Sequence, residues 1–394
     1  MKIESKAVHA GDRRKAGPYI PVTTPIYTAA SYYYDDIETL DGVFAGTTAG
    51  YAYARYANPT TAAFEELVNA LENGCGALAC SSGMAALQMA IAAATSGRAQ
   101  SVLAAEALYG ATIKLLLNVL QPTGAAVRFV DMFDLAAVEA ALAEFRPGCV
   151  LVESISNPLL RVPQLDRLAA LCGRAGVPLI VDNTFATPLL LRPLELGAQF
   201  SVHSATKYLA GHGDVLGGVI VTDEAHLEPL RTLARVVGAN LGPFESYLAM
   251  RGAKTLAVRF ERQCSNAARL AEWLAAHPAV ERVFFPARPD HPDREAIARL
   301  LPAGLSGAMV AFELRGADRA GVMRFLNALE MIVPATSLGD VHSMILYPFM
   351  SSHRDVSPEL RERMGIRENL VRMSAGIEAA EDILADLDQA FRQI

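Results

Sequence analysis

Short apolar runs alternate with segments of helical periodicity between about residues 64 and 221. The apolar runs lie at 77–80, 101–105, 127–130, 149–154, 178–183, 200–204 and 217–221. Continuous apolar runs separated by helices are typical of strands that are buried on both faces of a mostly parallel sheet. We therefore predict an α/β domain in which helices cover a mostly parallel central sheet.

The two flanking parts of the chain have different patterns. Residues 1 to about 57 are rich in Tyr, Pro, Gly and Thr and carry no sustained helix or strand period, which predicts an extended arm. After Glu245 the pattern predicts a long helix through Trp273, strands at 280–285, 308–314 and 370–374, and helices at 317–329 and from Ala379. We predict an arm at 1–57, the α/β domain at 58–245 and a smaller α+β domain at 246–394.

The composition indicates which kind of ligand the protein binds and which cellular compartment it occupies. With 52% hydrophobic residues and a net charge of −7, the chain should fold, and it offers no basic surface for nucleic acid or an anionic membrane. We expect a small-molecule partner. The five cysteines form no CxxC pair and no Cys/His cluster at zinc-site spacing, which predicts no metal site and a cytoplasmic location. The charged N-terminal segment also lacks the apolar centre of a secretion signal.

Polar residues follow several predicted strands, at the edge where open parallel sheets bind their ligands. Lys207 lies between the strand run at 200–204 and a glycine-rich turn, and Asp182 follows the buried run PLIV. Taken alone, a lysine at a strand end is usually solvated, and an aspartate there is as often a cap or a turn. Taken together, a lysine nucleophile and an anion for a protonated ring nitrogen point to pyridoxal phosphate (PLP) chemistry.

A phosphate site is predicted where a strand run leads into an uncharged helix. Backbone N–H groups at the start of that helix, in the segment Ser-Ser-Gly-Met-Ala-Ala at 81–86, would face the cleft. A Ser-Ser-Gly sequence is also an ordinary helix cap, so this signal needs support. The hydroxyl groups of Ser204 and Thr206 and the guanidinium of Arg55 would supply further donors for a phosphate dianion.

Two more residues occupy positions that suit a substrate site. Tyr109 follows another predicted strand and would lay its ring on the cofactor, although packing alone explains most such tyrosines. Arg372 lies within an apolar strand, where a charge is costly unless it is paired. The α-carboxylate of an amino-acid substrate would be a suitable partner for Arg372.

Six short segments form a combined signature along the chain. They are Tyr-x-Arg-x-x-Asn-Pro-Thr at 53–60, Ser-Ser-Gly-Met-Ala-Ala at 81–86, Val-Asp-Asn-Thr at 181–184, His-Ser-Ala-Thr-Lys-Tyr-x-x-Gly-His at 203–212, Met-Arg-Gly-x-Lys-Thr-Leu at 250–256 and Ser-Leu-Gly at 337–339. In order and spacing they resemble the Cys/Met-metabolism PLP-dependent enzyme family, the group of cystathionine γ-synthase, cystathionine γ-lyase and methionine γ-lyase. The resemblance implies a fold-type-I PLP enzyme. It also implies a homotetramer built from two dimers, with cofactor sites shared across each dimer interface.

The resemblance implies a role for each matching residue. Lys207 would carry PLP as a Schiff base and act as the catalytic base, Tyr109 would stack on the cofactor and serve the leaving group, and Asp182 would hold the ring nitrogen. The phosphate would be bound by Gly83, Met84, Ser204 and Thr206 of one subunit and by Tyr53 and Arg55 of its neighbour. The substrate would be bound by Asn157, Ser337 and Arg372.

The implied reaction is γ-elimination or γ-replacement on a sulfur amino acid or homoserine derivative, of the cystathionine γ-lyase or γ-synthase type. The first alternative is β-elimination of cystathionine. The next alternatives are the O-acylhomoserine sulfhydrylase reaction and the methionine γ-lyase reaction. Ala111 stands where methionine γ-lyases carry Cys, and His342 stands where γ-acting cystathionine enzymes carry Glu. An aminotransferase would share the fold but not the Ser-x-Thr-Lys and Tyr-x-Arg segments. A non-enzymatic protein of this fold would not need to keep Lys207, Asp182 and Arg372 together.

Overall fold

The computed structural model describes residues 1–15 and 18–394. Within these residues the strands are β1 (Gly76–Cys80), β2 (Ser101–Ala105), β3 (Ala126–Val130), β4 (Cys149–Glu153), β5 (Leu179–Asp182), β6 (Phe200–Ser204), β7 (Gly218–Thr222), β8 (Val280–Phe284), β9 (Met309–Leu314), β10 (Val333–Pro334), β11 (Met344–Leu346) and β12 (Leu370–Ser374). The α-helices are α1 (Ile3–His9), α2 (Ile37–Ala45), α3 (Pro59–Glu72), α4 (Gly83–Ala94), α5 (Gly110–Lys114), α6 (Leu135–Phe145), α7 (Leu165–Ala175), α8 (Thr187–Leu190), α9 (Glu224–Val237), α10 (Pro243–Ala253), α11 (Leu256–Ala276), α12 (Arg294–Leu300), α13 (Arg319–Asn327), α14 (Pro358–Arg363) and α15 (Ala380–Phe391).

The larger sheet has seven strands in the order β1-β7-β6-β5-β4-β2-β3. The five strands from β6 to β3 are parallel, whereas β7 runs antiparallel to both β6 and β1. The segment between β6 and β7 contains no helix, so the chain turns back without the crossover that a parallel neighbour requires. The predicted α/β fold with a mostly parallel sheet is confirmed, and all seven predicted strands are present to within one residue at each end.

Helices pack on the larger sheet because their apolar residues recur at helical spacing. In α3 the side chains of Phe64, Leu67, Val68 and Leu71 are fully buried. This helix begins at Asn58, whose side chain accepts hydrogen bonds from two backbone N–H groups of its first turn. Helix α4 packs on β6 and β7, which places its first turn beside the carboxyl end of β6.

The smaller sheet has the order β10-β11-β12-β9-β8 and is antiparallel except between β10 and β11. The three predicted strands are present, but β10 and β11 are too short to give a recognisable period. The single long helix predicted through Trp273 is wrong, because two helices, α10 and α11, occupy this region. Thr255 bonds back to the Gly252 carbonyl through its N–H and its hydroxyl, which ends α10. Residue 245 lies inside α10, and the domain boundary there stays a prediction.

The arm contains two short helices that the sequence pattern does not reveal. Helix α1 packs on α3 and α11, and helix α2 is capped by Asp36 and ends at the left-handed Gly46. Large apolar side chains of the arm are nonetheless exposed, namely Tyr19, Ile20, Val22, Tyr33, Ile37 and Phe44. Exposed apolar surface of this extent is typical of a protein interface. Within residues 1–15 and 18–394, no helix combines the length and apolarity that crossing a bilayer requires.

Candidate active site

A cavity of about 430 Å³ lies at the carboxyl ends of β4, β5 and β6. Nine of the twelve predicted site residues line it: Gly83, Met84, Tyr109, Asn157, Asp182, Ser204, Thr206, Lys207 and Arg372. A tenth, Ser337, contacts Lys207. A larger cavity of about 740 Å³ lies between β8 and α14 and contains none of the predicted residues. The sheet edge therefore gathers most of the predicted chemistry in one place.

Lys207 lies in the turn that follows β6, where its backbone N–H donates to the Ser204 carbonyl at 3.1 Å. Its side-chain amine donates a hydrogen bond to Ser337 Oγ at 3.0 Å. Burial, with a smaller contribution from the positive charge of Arg372, lowers the pKa of Lys207 to about 8. A lysine with this pKa has an appreciable neutral fraction near neutral pH, which is what a nucleophile or a base requires.

Asp182 ends β5, and its Oδ1 accepts hydrogen bonds from Thr184 N at 3.0 Å and from Thr184 Oγ1 at 2.6 Å. These two bonds form a turn, which is the structural role that an aspartate at a strand end often has. They do not account for Oδ2, which receives no hydrogen bond from the described part of the chain. Burial raises the pKa of Asp182, because a carboxylate here lacks solvent. A protonated ring nitrogen would supply both the missing donor and the missing positive charge, so the site fits PLP.

The start of α4 and the end of β6 form a cradle for an anion. Ser82 Oγ caps the helix by accepting from Ala85 N at 3.1 Å, whereas the N–H groups of Gly83 and Met84 have no acceptor inside the helix. A Cβ atom on Gly83 would lie 2.8 Å from the Ser204 Cβ, so only glycine permits this approach. Thr206 Oγ1 accepts from Gly217 N at 3.0 Å and donates to the Gly217 carbonyl at 3.3 Å, so the free donors of the cradle are the N–H groups at the start of α4. These donors fit the phosphate of PLP.

Arg372 lies on β12 at the other end of the cavity and is 3% exposed. Its Nη1 donates to Asn157 Oδ1 at 2.7 Å, while its Nε has no hydrogen-bond partner among residues 1–15 and 18–394. Burial lowers its pKa to about 10, so the guanidinium is charged at neutral pH. Among the described residues no carboxylate lies within ion-pair distance of it. A buried charge without a counter-ion is costly, and a substrate carboxylate would provide that counter-ion.

Tyr109 and Glu153 form the wall between these two ends. The Tyr109 side chain is only partly buried, and its backbone N–H donates to Glu153 Oε1 at 2.6 Å. Glu153 is almost completely buried and ends β4, as Asp182 ends β5. Glu153 was not predicted as a site residue, although the same signal, a carboxylate at the end of a buried strand, is present at both positions.

Tyr53 and Arg55 do not line this cavity. The Arg55 guanidinium stacks over the rings of Tyr53 and Tyr56, at 5.6 and 4.9 Å from their centroids, and it borders a separate cavity. Their predicted role in a neighbouring subunit's site therefore stays a prediction. His342 does not line the cavity either. Its side chain is 64% exposed, and its Nδ1 lies 3.0 Å from Asp340 Oδ1.

Gly83 gives a direct test of the anion cradle. Gly83→Ala is expected to raise the Kd for PLP about tenfold, because overpacking of about 1–3 kcal/mol must push the helix start away from Ser204. Gly173→Ala, in α7 with no atom within 4 Å of the added methyl group, should leave the Kd unchanged. Fluorescence titration of the apoprotein with PLP measures both. Equal PLP affinity in the two variants would contradict the cradle.

The chain matches the family model described as Cys/Met metabolism PLP-dependent enzyme over residues 4–392. It is 39% identical to L-methionine gamma-lyase of Fusobacterium nucleatum subsp. polymorphum, covering 100% of this chain and 98% of that protein. It is 40% identical to cystathionine gamma-lyase of Bacillus subtilis, covering 100% of both chains. The crystal structure of cystathionine gamma-lyase from Lactobacillus plantarum superposes with a TM-score of 0.92 at 35% identity, covering 100% of this chain and 99% of that one. Together with a cavity that fits the cofactor, this full-length similarity shows that the chain belongs to the Cys/Met-metabolism family of PLP-dependent enzymes.

Proposed function

We propose that the enzyme catalyses γ-elimination or γ-replacement on a homoserine-derived thioether or ester such as cystathionine, with PLP held on Lys207. The observation that carries this proposal is the meeting of Lys207, Asp182 and Arg372 in one cavity. These residues offer an amine, an anion for a ring nitrogen and a cation for a substrate carboxylate. The cavity thus provides a place for each end of a PLP-bound amino acid.

Lys207 is the proposed proton carrier of the reaction. PLP, when bound, supplies an electron sink that stabilises negative charge at the substrate Cα. A γ-leaving group requires removal of a proton from Cα and then another from Cβ, whereas a β-leaving group requires only the first. A pKa of about 8 allows one amine both to accept and to return protons near neutral pH. β-Elimination would use only the first of these transfers, so the same amine would serve that reaction as well.

Two further groups orient the substrate and serve its leaving group. Arg372 and Asn157 would bind the α-carboxylate, which directs the Cα proton toward Lys207. Tyr109 lies on the cavity wall with a partly exposed side chain, so its phenol can reach a departing sulfur or oxygen atom. Transfer of the phenol proton to that atom would release it as a thiol from a thioether or as a carboxylic acid from an ester.

The assembly and location belong to the same proposal. The exposed apolar side chains of the arm would pack in a dimer, and two dimers would form a homotetramer. In such a dimer Tyr53 and Arg55 would reach the phosphate of the neighbouring site. The five cysteines are unpaired and all but Cys75 are buried, which supports a reducing, cytoplasmic environment. The surface charge favours a small-molecule substrate and no nucleic-acid partner.

The keto acid released from L-cystathionine tests the proposed chemistry. Incubation of the PLP-loaded enzyme, followed by chromatography, should give 2-oxobutanoate, the four-carbon product of γ-elimination. Pyruvate as the main product would overturn γ-chemistry and favour β-elimination. O-Acetylhomoserine with and without sulfide, and L-methionine, extend the test to the other reactions of the family. Lys207→Ala serves as the control for non-enzymatic release.

Arg372 is expected to determine substrate affinity rather than cofactor affinity. Arg372→Ala should lower kcat/KM for L-cystathionine about 10- to 100-fold, mainly through KM, because one charge-assisted contact contributes about 1.5–3 kcal/mol. Arg372→Lys should recover part of this loss, since it keeps the charge but not the planar fork. Steady-state kinetics and PLP titration separate the two effects. Loss of PLP binding with an unchanged KM would contradict the assignment.

A further inference from the structure

Glu153 is a buried carboxyl group that the proposed chemistry does not use. It is 6% exposed and lines the cavity between Tyr109 and Arg372. The ring nitrogen, the phosphate and the substrate carboxylate are all served by other residues in the proposal above. A carboxyl group this deeply buried is costly unless its oxygens are hydrogen-bonded, so its partners indicate what it does.

The two oxygens of Glu153 bind two different loops. Oε1 accepts the backbone N–H of Tyr109 at 2.6 Å, in the loop that leads from β2 into α5. Oε2 accepts the backbone N–H of Asn157 at 2.9 Å, in the loop that follows β4. Asn157 in turn accepts the hydrogen bond from Arg372. One carboxylate therefore ties the tyrosine wall of the cavity to its arginine end.

The surrounding charges make this tie dependent on ionisation. Asp182 faces Glu153 from the adjacent position on β5, Arg372 faces it from β12, and Tyr109 faces it from the start of α5. Burial, and then the negative charge of Asp182, raise the pKa of Glu153 to about 8, against the effect of its two N–H donors and Arg372. In a protonated carboxyl group, the oxygen that carries the proton is a weaker hydrogen-bond acceptor. Protonation of Glu153 therefore weakens its contact with one of the two loops.

We propose that Glu153 is a positioning residue, whose ionised carboxylate fixes the Tyr109 ring over the cofactor and holds Asn157 against Arg372. The inference rests on the proposed function only in placing the cofactor beside Tyr109 and the substrate carboxylate beside Arg372. Both oxygens of Glu153 accept backbone N–H groups, so the carboxylate acts on the ligands through the two loops. Its effect on PLP binding therefore passes through Tyr109, and this dependence is measurable.

A double-mutant cycle tests this dependence. Glu153→Gln keeps the size of the side chain but removes the charge and places an amide N–H₂ against a backbone N–H. Above pH 8, where the Glu153 carboxylate is ionised, we expect it to raise the Kd for PLP about tenfold in the parent and less than twofold in a Tyr109→Ala background. Titration of the four apoproteins with PLP, followed by fluorescence and circular dichroism, gives the values. An equal loss in both backgrounds, or no loss in the parent, would overturn the inference.

The pH dependence separates positioning from a purely structural role. In the parent, the Kd for PLP should rise as the pH falls through about 8, where both Glu153 and Lys207 take up protons, and this rise should be smaller in Glu153→Gln, which keeps only the Lys207 contribution. Glu106→Gln is the matched control, since Glu106 precedes Tyr109 by three residues but pairs with Arg363 at 3.0 Å and does not line the cavity. It should behave as the parent does, and a reduced rise in this control, or an undiminished rise in Glu153→Gln, would also overturn the inference. PLP binding precedes the reaction, so a pyruvate product would overturn γ-chemistry without changing this cycle.

Discussion

Replacing Lys207 with alanine is expected to lower kcat for L-cystathionine by about 10²–10⁴-fold, the usual contribution of a positioned acid–base group. The amine that donates to Ser337 and would carry both proton transfers is then missing. The apoprotein should unfold at the same temperature or a higher one. Burial lowers the pKa of this lysine, so its charged form costs stability at neutral pH and alanine removes that cost. Kinetics and thermal melting of parent and variant check both expectations.

Lys207→Arg is the matched control for this experiment. Arginine keeps the positive charge and a donor for Ser337, but it stays protonated at any physiological pH and cannot act as the base. Lys207→Arg should therefore be as inactive as Lys207→Ala. An arginine variant with a tenth or more of the parent's kcat would contradict the role of Lys207 as proton carrier.

Asp182→Asn is expected to lower kcat by about 10²–10³-fold, comparable to the loss of one preorganised electrostatic contact to developing charge. The asparagine Oδ1 can still accept both bonds from Thr184, so the turn should remain. Only the negative charge that would hold a protonated ring nitrogen is lost. The visible spectrum of the PLP-loaded variant, together with kcat, measures the effect.

Asp134→Asn provides the comparison that separates a cofactor aspartate from a structural one. Asp134 caps α6 by accepting two backbone N–H bonds, and it lies on the surface. Asparagine caps a helix as well as aspartate does, so this variant should match the parent. If Asp182→Asn behaved like Asp134→Asn, the turn would be the whole explanation of Asp182.

The strands of the larger sheet were the most predictable part of the fold. Because β2, β4 and β7 are buried along their whole length, each reads as a continuous apolar run with clear ends. Strand direction was less accessible. The antiparallel β7 follows from the lack of a helix between Ser204 and Gly218, a detail that an apolar run does not encode.

Two kinds of structural feature were not predicted: helices too short to show a period, and a helix break in a region that packs against a distant segment. The helices of the arm, at seven and nine residues, are too short to establish a period. Just before the break between α10 and α11, Gly252 lies against the turn after β6, where an added Cβ would lie 2.0 Å from the Ala210 carbonyl oxygen. A contact between residues so distant in sequence leaves no local pattern.

Site residues at strand ends could be predicted from the sequence. Site residues whose role depends on contacts between distant segments could not. Asp182 ends a strand and Lys207 follows one, and both were predicted as site residues. Glu153 closes a strand in the same way, yet its function depends on N–H groups of two loops that only the fold brings together. Tyr53 and Arg55 lie outside the cavity of their own chain, so their predicted role requires a second subunit.

The attachment point of the cofactor is the most direct test of the central claim. The PLP-loaded enzyme is reduced with borohydride, digested, and mapped by mass spectrometry for lysines that carry the pyridoxyl phosphate group. We predict that the label lies on Lys207 and on no other lysine. A label on a different residue, such as Lys114 or Lys254, or an unlabelled Lys207 in a protein saturated with PLP, would contradict the account.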